Sequence, residues 1–520
     1  MNSTLLRWEK RLFWPQFWLA VVLAGVCMHL PEALAMTPAQ WLRTQPRPNF
    51  QEGHRMPRLT RFCGALPLDA RKELAAHWNY TVEFGSVSGG ACYVTEEVIA
   101  KLNDPRSDEA QMAAWALADP RTYPLSVICN RSLPEHLPPE TWTHDAAGNA
   151  ITAEAGHEWH PGVNTLFSPE TPAEVWQAAG DLRAEPLRTL VARGLPIAIV
   201  LNGGEYGIGL PGAMQKFWEQ DPTIVAAKGD RSWADYVSQR KGRSEKIIAE
   251  SVRAAVPKRG FYIYYTAGGG TMRNKFPGVE NWNIDFDSIK DASDLPSNEL
   301  YHHYFNDGFT GTFDMLTLAL NAVAKEISAG RTHSYNWVSG GWTEPGKTSA
   351  APTLSGPAEQ APIPRWTGFL TCCFTAGMMG CNAGYYADPP GGFAADFAPE
   401  DPPHWLRQLS AVAHAQARMS HVEDLLRKGD LLPGPDRHRI SPADPAYEFP
   451  TGDPTARVLV RRHSQRPEWL LTAWAAAGEA REVTVSVPDL GEVQLLAMPE
   501  AAVYRAVVED GVAVLDAVEW

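Results

Sequence analysis

From about residue 59 onward, short apolar runs alternate with longer segments of helical periodicity. The run Ile197-Ala-Ile-Val-Leu201 has no polar residue inside it. Such a run marks a strand buried on both faces, the pattern of a parallel sheet. Comparable runs at 59–65, 80–84, 125–129, 261–265, 281–286, 332–339 and 381–386 complete a set of strand candidates. Between them lie segments of helical pattern, at 68–78, 96–117, 171–193, 232–256, 286–329, 366–378 and 403–427. Thr171-Pro172 opens one of these with a capping hydroxyl and a proline at the first helical position. Consecutive parallel strands require crossover helices. The alternation therefore predicts the α/β class, as a (β/α)8 TIM barrel over residues 58–432.

The pattern changes after Leu432-Pro-Gly-Pro435. Short β-type runs at 457–462, 469–474, 483–487, 493–496 and 502–507 are separated by Gly, Pro or charged turns. Their spacing predicts a C-terminal antiparallel β-sandwich domain at 433–520, structural and packed on the barrel. Residues 36–57, rich in Pro, Gln and Arg, read as an N-terminal arm or linker. Two long stretches without periodicity, 131–170 and 345–364, read as loops over one end of the barrel.

Residues 1–35 have the form of a signal peptide. Arg7, Lys10 and Arg11 precede an apolar stretch, and Ala33-Leu34-Ala35 supplies small residues before a cleavage point. Pro15, Gln16 and His29 interrupt that stretch, so its core is short for a membrane span. The expectation is export, periplasmic or secreted, with no stable membrane association after cleavage. Of seven cysteines, Cys27 falls in the leader, and Cys63, Cys129, Cys372 and Cys373 read as buried free thiols.

The formal net charge is −14 and no basic run is present, which weighs against nucleic acid or an anionic membrane as partner. Gly268-Gly-Gly270 does not match a phosphate-cradling loop, and His157-Glu-Trp-His160 is one residue short of the helical zinc spacing. No metal and no cofactor is expected. The 19 tryptophans supply flat apolar faces suited to sugar rings. That use competes with simple core filling.

Two carboxylates carry the candidate chemistry. Glu205 follows the 197–201 run in Asn202-Gly-Gly-Glu205-Tyr206, and Glu344 follows the 332–339 run in Gly341-Trp342-Thr-Glu344-Pro. Barrel enzymes place catalytic groups at the C-terminal ends of strands. Two glutamates at strand ends four and seven suit paired-carboxylate chemistry on a glycosidic bond. With these motifs, residues 57–430 resemble the retaining (β/α)8-barrel glycoside hydrolases of the clan-A type. The resemblance implies that Glu205 is the acid/base and Glu344 the nucleophile, acting on a poly- or oligosaccharide. The sequence departs from the family at one point: Gly203 and Gly204 separate Asn202 from Glu205, where the family has Asn directly before Glu.

Asn202, Tyr206, Tyr265, Trp282, Asn336, Trp337, Trp342, Asn382 and Tyr385 stand at or near the same strand ends and are candidate sugar contacts. Alternation along a strand means that some of them belong to the core. Asp285, Asp287 and Glu83 are rival carboxylates. The alternative function is a carbohydrate-binding or polysaccharide-processing barrel without hydrolysis, which would keep the aromatic contacts and need neither glutamate. Oligomeric state has no signature in the sequence. Mass spectrometry of exported protein is expected to find a new N-terminus at Met36; an intact Met1 in a membrane fraction would overturn the leader assignment.

Overall fold

The computed structural model describes residues 35–62, 66–88, 91–129, 138–151, 167–202, 211–256, 258, 260–264, 286–301, 308–328, 330–331, 333–341, 361–384, 392–434 and 446–519. Its first strands are β1 (Thr60–Phe62), β2 (Val82–Glu83), β3 (Ser86–Ser88), β4 (Ala91–Tyr93) and β5 (Leu125–Ile128). They are followed by β6 (Ile197–Asn202), β7 (Phe261–Tyr264), β8 (Glu299–Tyr301), β9 (Ser334–Ser339) and β10 (Met378–Gly384). One sheet has the order β1-β10-β9-β8; another has β3-β4-β5-β6-β7, with β2 also on β5. Every pairing in both is parallel except the β3–β4 hairpin.

Main-chain bonds link the two sheets at both seams. Leu59 and Tyr80 form a parallel bridge just ahead of β1 and β2. At the other seam the Asp294 N–H donates to the Tyr262 carbonyl of β7 at 2.8 Å, while Tyr335 and Trp337 of β9 donate to Pro296 and Asn298. The stretch leading into β8 thus lies between β7 and β9.

Helices cover the outer faces of these sheets, as buried parallel strands require. The Ala173–Ala192 helix turns Trp176, Gly180, Arg183, Leu187 and Leu190 inward, the three-to-four spacing of a helical face. A Cβ on Gly180 would stand 2.8 Å from Ser251 of the neighbouring Trp233–Ala255 helix, so glycine permits this close crossing. Inside the sheets a smaller cluster draws Ile128, Ile199, Leu201 and Ile263 from one sheet and Tyr301, Tyr335 and Trp337 from the other.

Three features differ from the sequence expectation. The strand beside β9 is Glu299–Tyr301, whereas Phe286 opens a short helix and 281–285 lie outside the described residues. The local sequence Ser-Asn-Glu-Leu-Tyr-His-His has only two apolar residues, so main-chain pairing rather than an apolar run defines this strand. Residues 36–57, expected as an N-terminal arm or linker, include a packed helix: Thr37 and Gln40 form a capping box on the Pro38–Thr44 helix, whose Trp41 and Leu42 are buried. Met36 bridges Phe397 through paired main-chain bonds. The 96–117 segment is two helices, Glu96–Lys101 and Asp108–Ala118, each capped by its own Thr or Ser.

The C-terminal part is antiparallel. Strands β11 (Gly429–Leu431), β12 (Glu448–Phe449), β13 (Ala456–His463), β14 (Glu468–Ala475), β17 (Ala502–Glu509) and β18 (Val512–Ala517) form one sheet. Strands β15 (Arg481–Val487) and β16 (Gly491–Ala497) form a second. Val458, Val460, Trp469 and Leu471 of the first share a core with Val483, Val485, Val493 and Leu495 of the second.

This unit is joined firmly to the helical layer. Trp474 belongs to the large core that also contains Phe369, Leu370 and Phe374 of the Ile363–Ala376 helix. Thr375 and Thr472 hydroxyls meet at 2.6 Å. Arg461, 3% exposed, donates to the carbonyls of Thr375, Ala376, Leu426 and Gly429, and so caps the C-terminal ends of two helices.

The tight seat of Gly368 can be tested directly. A Cβ on Gly368 would meet Trp474 Nε1 at 2.1 Å and the Pro499 carbonyl at 2.5 Å. Alanine normally favours a helix over glycine by about 1 kcal/mol, but overpacking costs about 1–3 kcal/mol or more. Gly368→Ala is therefore expected to lower the thermal midpoint by several degrees in calorimetry; a gain would refute the tight seat.

A pH dependence is expected from Glu326 on the Gly308–Ser328 helix, which is 1% exposed and accepts from Asn298 Nδ2 at 3.2 Å. Burial pushes its carboxyl up to about 8, against the smaller pull of Asn298 and Arg331. Between about pH 4.5 and 8 the folded chain then holds a proton that the unfolded chain has lost. Stability from this group therefore declines as pH rises, with a limiting slope of about 1.4 kcal/mol per unit. Glu326→Gln should flatten that slope and stabilise the protein near pH 8, as read from denaturant midpoints across the range.

Candidate active site

Alternation along each strand decides which side chains reach the interior. On β6, Ile199 and Leu201 join the interior cluster, while Val200 and Asn202 take the opposite face, toward the helices. Asn202 is 1% exposed, and its Nδ2 donates to the Tyr262 hydroxyl at 2.7 Å. On β7, Ile263 faces inward, and Tyr262 and Tyr264 pack in the helix layer, where burial raises both phenols well above their usual range.

On β9, Tyr335 and Trp337 face inward. Asn336 lies on the other face; its Oδ1 accepts from the Asn298 N–H and its Nδ2 donates to Ser334 Oγ, both at 3.0 Å. On β10 the register pairs Asn382 with both Thr60 and Trp337. Its Oδ1 accepts from Thr60 Oγ1 at 2.9 Å, and Thr60 in turn meets the Tyr335 hydroxyl at 2.9 Å. Thr60, Trp337 and Asn382 each stand two residues before the end of their strand and lie side by side across β1, β9 and β10.

Of the residues singled out in the sequence, the structure thus brings Trp337 and Asn382 together on the interior side. It turns Asn202, at the end of β6, and Asn336, in the first half of β9, toward the helices rather than the interior. Glu205, Tyr206, Tyr265, Trp282, Trp342, Glu344 and Tyr385 lie outside the described residues, as does the rival Asp285. Asp287 sits on the Phe286–Ile289 helix with a largely exposed side chain 3.1 Å from Lys290, the setting of a solvated surface pair.

Glu83 has a specific partner. Arg61 Nε lies 2.7 Å from Glu83 Oε1, and Arg61 Nη2 donates to Oε2 at 2.7 Å, a two-pronged pair at the ends of β1 and β2. Both residues are buried, and Arg71 adds a bond to the Glu83 carbonyl at 2.9 Å. Removing one member would leave the other as an uncompensated buried charge. Arg61 is absent from the sequence-based candidates; a lone arginine inside a strand run was the available signal.

The end of β9 is held from several sides. The Ala361 N–H donates to the Gly340 carbonyl at 2.7 Å, and the Gly341 N–H donates to Ser339 Oγ at 3.2 Å. Gly341 has φ +98°, and a Cβ on Gly340 would meet the Gln408 amide at 2.7 Å. These contacts fix the backbone immediately ahead of Trp342. Among the described residues, no group of three or more His, Cys, Asp or Glu side chains could hold a metal ion. Cys129, Cys372, Cys373 and Cys381 are free and buried. No helix among the described residues is long and apolar enough to cross a membrane.

No protein-family model matches this chain, and no curated protein matches it. Among solved structures, it is similar to a glycoside hydrolase family 5 protein from Bacteroides vulgatus, at 11% identity and a TM-score of 0.40, over 90% of this chain and 95% of that one. It is also similar to a maltogenic alpha-amylase from Thermotoga neapolitana, at 10% identity and a TM-score of 0.39, covering 87% and 94% of the two chains. A third is the alpha-amylase from Geobacillus thermoleovorans solved with acarbose, at 12% identity and a TM-score of 0.35, covering 76% and 80%. Likeness at this level does not carry a substrate or a catalytic residue from those proteins to this one.

Proposed function

We propose that the two parallel sheets close into a single (β/α)8 barrel and that the chain is an exported retaining glycoside hydrolase. One observation carries the reading. Side chains from β5, β6 and β7 share an interior cluster with side chains from β8 and β9, and all these strands belong to parallel sheets joined by a parallel bridge. The chain therefore leaves β6 and β9 at the same end of a common interior. Three residues after Asn202 comes Glu205; five residues after Ser339 comes Glu344.

In the proposed reaction Glu344 attacks the anomeric carbon while Glu205 protonates the leaving oxygen. A water deprotonated by Glu205 then hydrolyses the glycosyl-enzyme bond. Trp337 and Asn382 supply an aromatic face and a carboxamide on the interior side, beside Tyr206, Tyr265, Trp282, Trp342 and Tyr385 from the loops. Asn202, turned outward, holds the end of the strand that leads to Glu205. The substrate class is a poly- or oligosaccharide.

The test separates the two carboxylates. Glu344→Ala should abolish turnover on every substrate, because no covalent intermediate forms without the nucleophile. Glu205→Ala should lose about 10²–10⁴-fold on substrates with poor leaving groups. It should lose less on activated aryl glycosides, where added azide should restore part of the rate. A screen of chromogenic glycosides and polysaccharides supplies the substrate. Wild-type rates in both variants would overturn the pairing and make Asp285 the next candidate.

A further inference from the structure

Among the described residues, strands β1–β10 contain two carboxylates, Glu83 and Glu299. Glu83 is taken by Arg61. Glu299 opens β8, and its register partner on β9 is Trp337. Trp337 is in turn paired with Asn382, and Asn382 with Thr60. The four positions form one row across β1, β10, β9 and β8, each two residues before the end of its strand. Tyr301, two residues beyond Glu299, belongs to the interior cluster together with Trp337. Alternation therefore puts position 299 on the interior face of β8. Glu299 has no place among the sequence-based candidates, because β8 lacks an apolar run to mark it as a strand.

The row has a closed side and a side of small residues. Below it, the Tyr335 hydroxyl meets Thr60 Oγ1 and donates to the Arg58 carbonyl, both at 2.9 Å. A Cβ on Gly380, the register partner of Tyr335, would meet that ring at 2.7 Å, so the ring is seated tightly. Toward the strand ends, the next positions on the same face of β9 and β10 are Ser339 and Gly384. Asn382 is 1% exposed; its Oδ1 is filled by Thr60, while its Nδ2 has no hydrogen-bond partner among the described residues. A buried amide nitrogen is ordinarily filled, and leaving it empty forfeits a hydrogen bond that water would have supplied. An acceptor from outside the chain would fill it.

We propose that Glu299 and Asn382, on either side of Trp337, hold the hydroxyls of the terminal sugar ring, so that the enzyme cleaves from a chain end. This rests on the glycoside hydrolase reading above. Glu205 and Glu344 come after the ends of β6 and β9 and work on the glycosidic bond from that side. The row takes the far side of the same ring. Asn382 Nδ2 donates to one hydroxyl oxygen, and the Glu299 carboxylate accepts the proton of another. Neighbouring strands run about 4.8 Å apart, so positions 382 and 299 stand about 10 Å from each other with Trp337 between them. The C–H face of the sugar lies against the Trp337 ring. A polysaccharide does not pass a floor closed by Tyr335, so the last ring of the chain alone reaches it.

The test reads binding and turnover separately. D-glucose, D-galactose, D-mannose and D-xylose are each titrated into the mature protein while its thermal midpoint is followed. At least one should raise the midpoint saturably, as a ligand of the folded state does. Glu299→Gln keeps the shape and removes the charge; it should raise the half-saturating concentration about tenfold or more, the loss typical of a hydrogen bond to a charged group. Asn382→Asp keeps the acceptor for Thr60 and removes the amide donor; it should weaken binding likewise, and it serves if Glu299→Gln does not fold. From an oligosaccharide labelled at its reducing end, the first labelled product should be one sugar shorter. The proposal is overturned if no monosaccharide moves the midpoint, if affinity is unchanged in the variants, or if the first products come from internal cleavage. Monosaccharide binding that the variants lose, with no turnover on any glycoside, would instead overturn the hydrolase reading and leave Glu299 and Asn382 as the sugar-binding pair.

Discussion

The structure depends on one constraint: a parallel strand has two faces and both must be covered. In β6 the requirement is met by Ile199 and Leu201 on one side and Val200 on the other, each nearly inaccessible to water. At about 25 cal/mol per Å² of apolar surface, burying such side chains is the largest favourable contribution to holding strands and helices together. The same constraint decides where polar groups can stand. Asn202, at the end of β6, and Asn336, inside β9, are buried with hydrogen bonds to Tyr262, Asn298 and Ser334.

The C-terminal sheets extend this logic. Trp474 fills the space left by the missing side chain of Gly368, and Arg461 gathers carbonyls from two helix ends and the strand that follows. Contacts of this kind do not slide. The unit is a fixed wall of the helical layer rather than a tethered module. The N-terminal segment behaves in the same way: the Pro38–Thr44 helix and the Met36–Phe397 bridge bind the start of the described chain to the region following β10.

Charge inside the protein is managed in two ways. The Arg61–Glu83 pair joins one hydrogen bond, Nη2 to Oε2, with a close Nε–Oε1 contact, and Lys241–Glu245 lies one helical turn apart on the same helix. Glu326 and Arg183 are different. One is held neutral by burial, and the other is a cation with two nitrogens that the described residues leave unfilled. Glu326 is where pH enters the stability of the fold.

The sequence by itself determined the elements whose signal is a run of apolar residues. The strands at 60–62, 82–83, 125–128, 197–202, 261–264, 334–339 and 378–384 fall on or beside predicted runs, as do β13 to β17. Each buries a continuous or alternating set of side chains, and that is a local property. The capping box Thr37-Pro-Ala-Gln40 was equally local, but a Pro-rich composition masked it. Strand β8 was decided by tertiary structure, because its place is set by main-chain bonds to its neighbours and only Leu300 and Tyr301 add apolar surface. The facing of Asn202, Asn336 and Asn382 was also decided there. A one-residue change in where a strand begins reverses which side chains look inward, and only pairing with the neighbouring strands fixes that register.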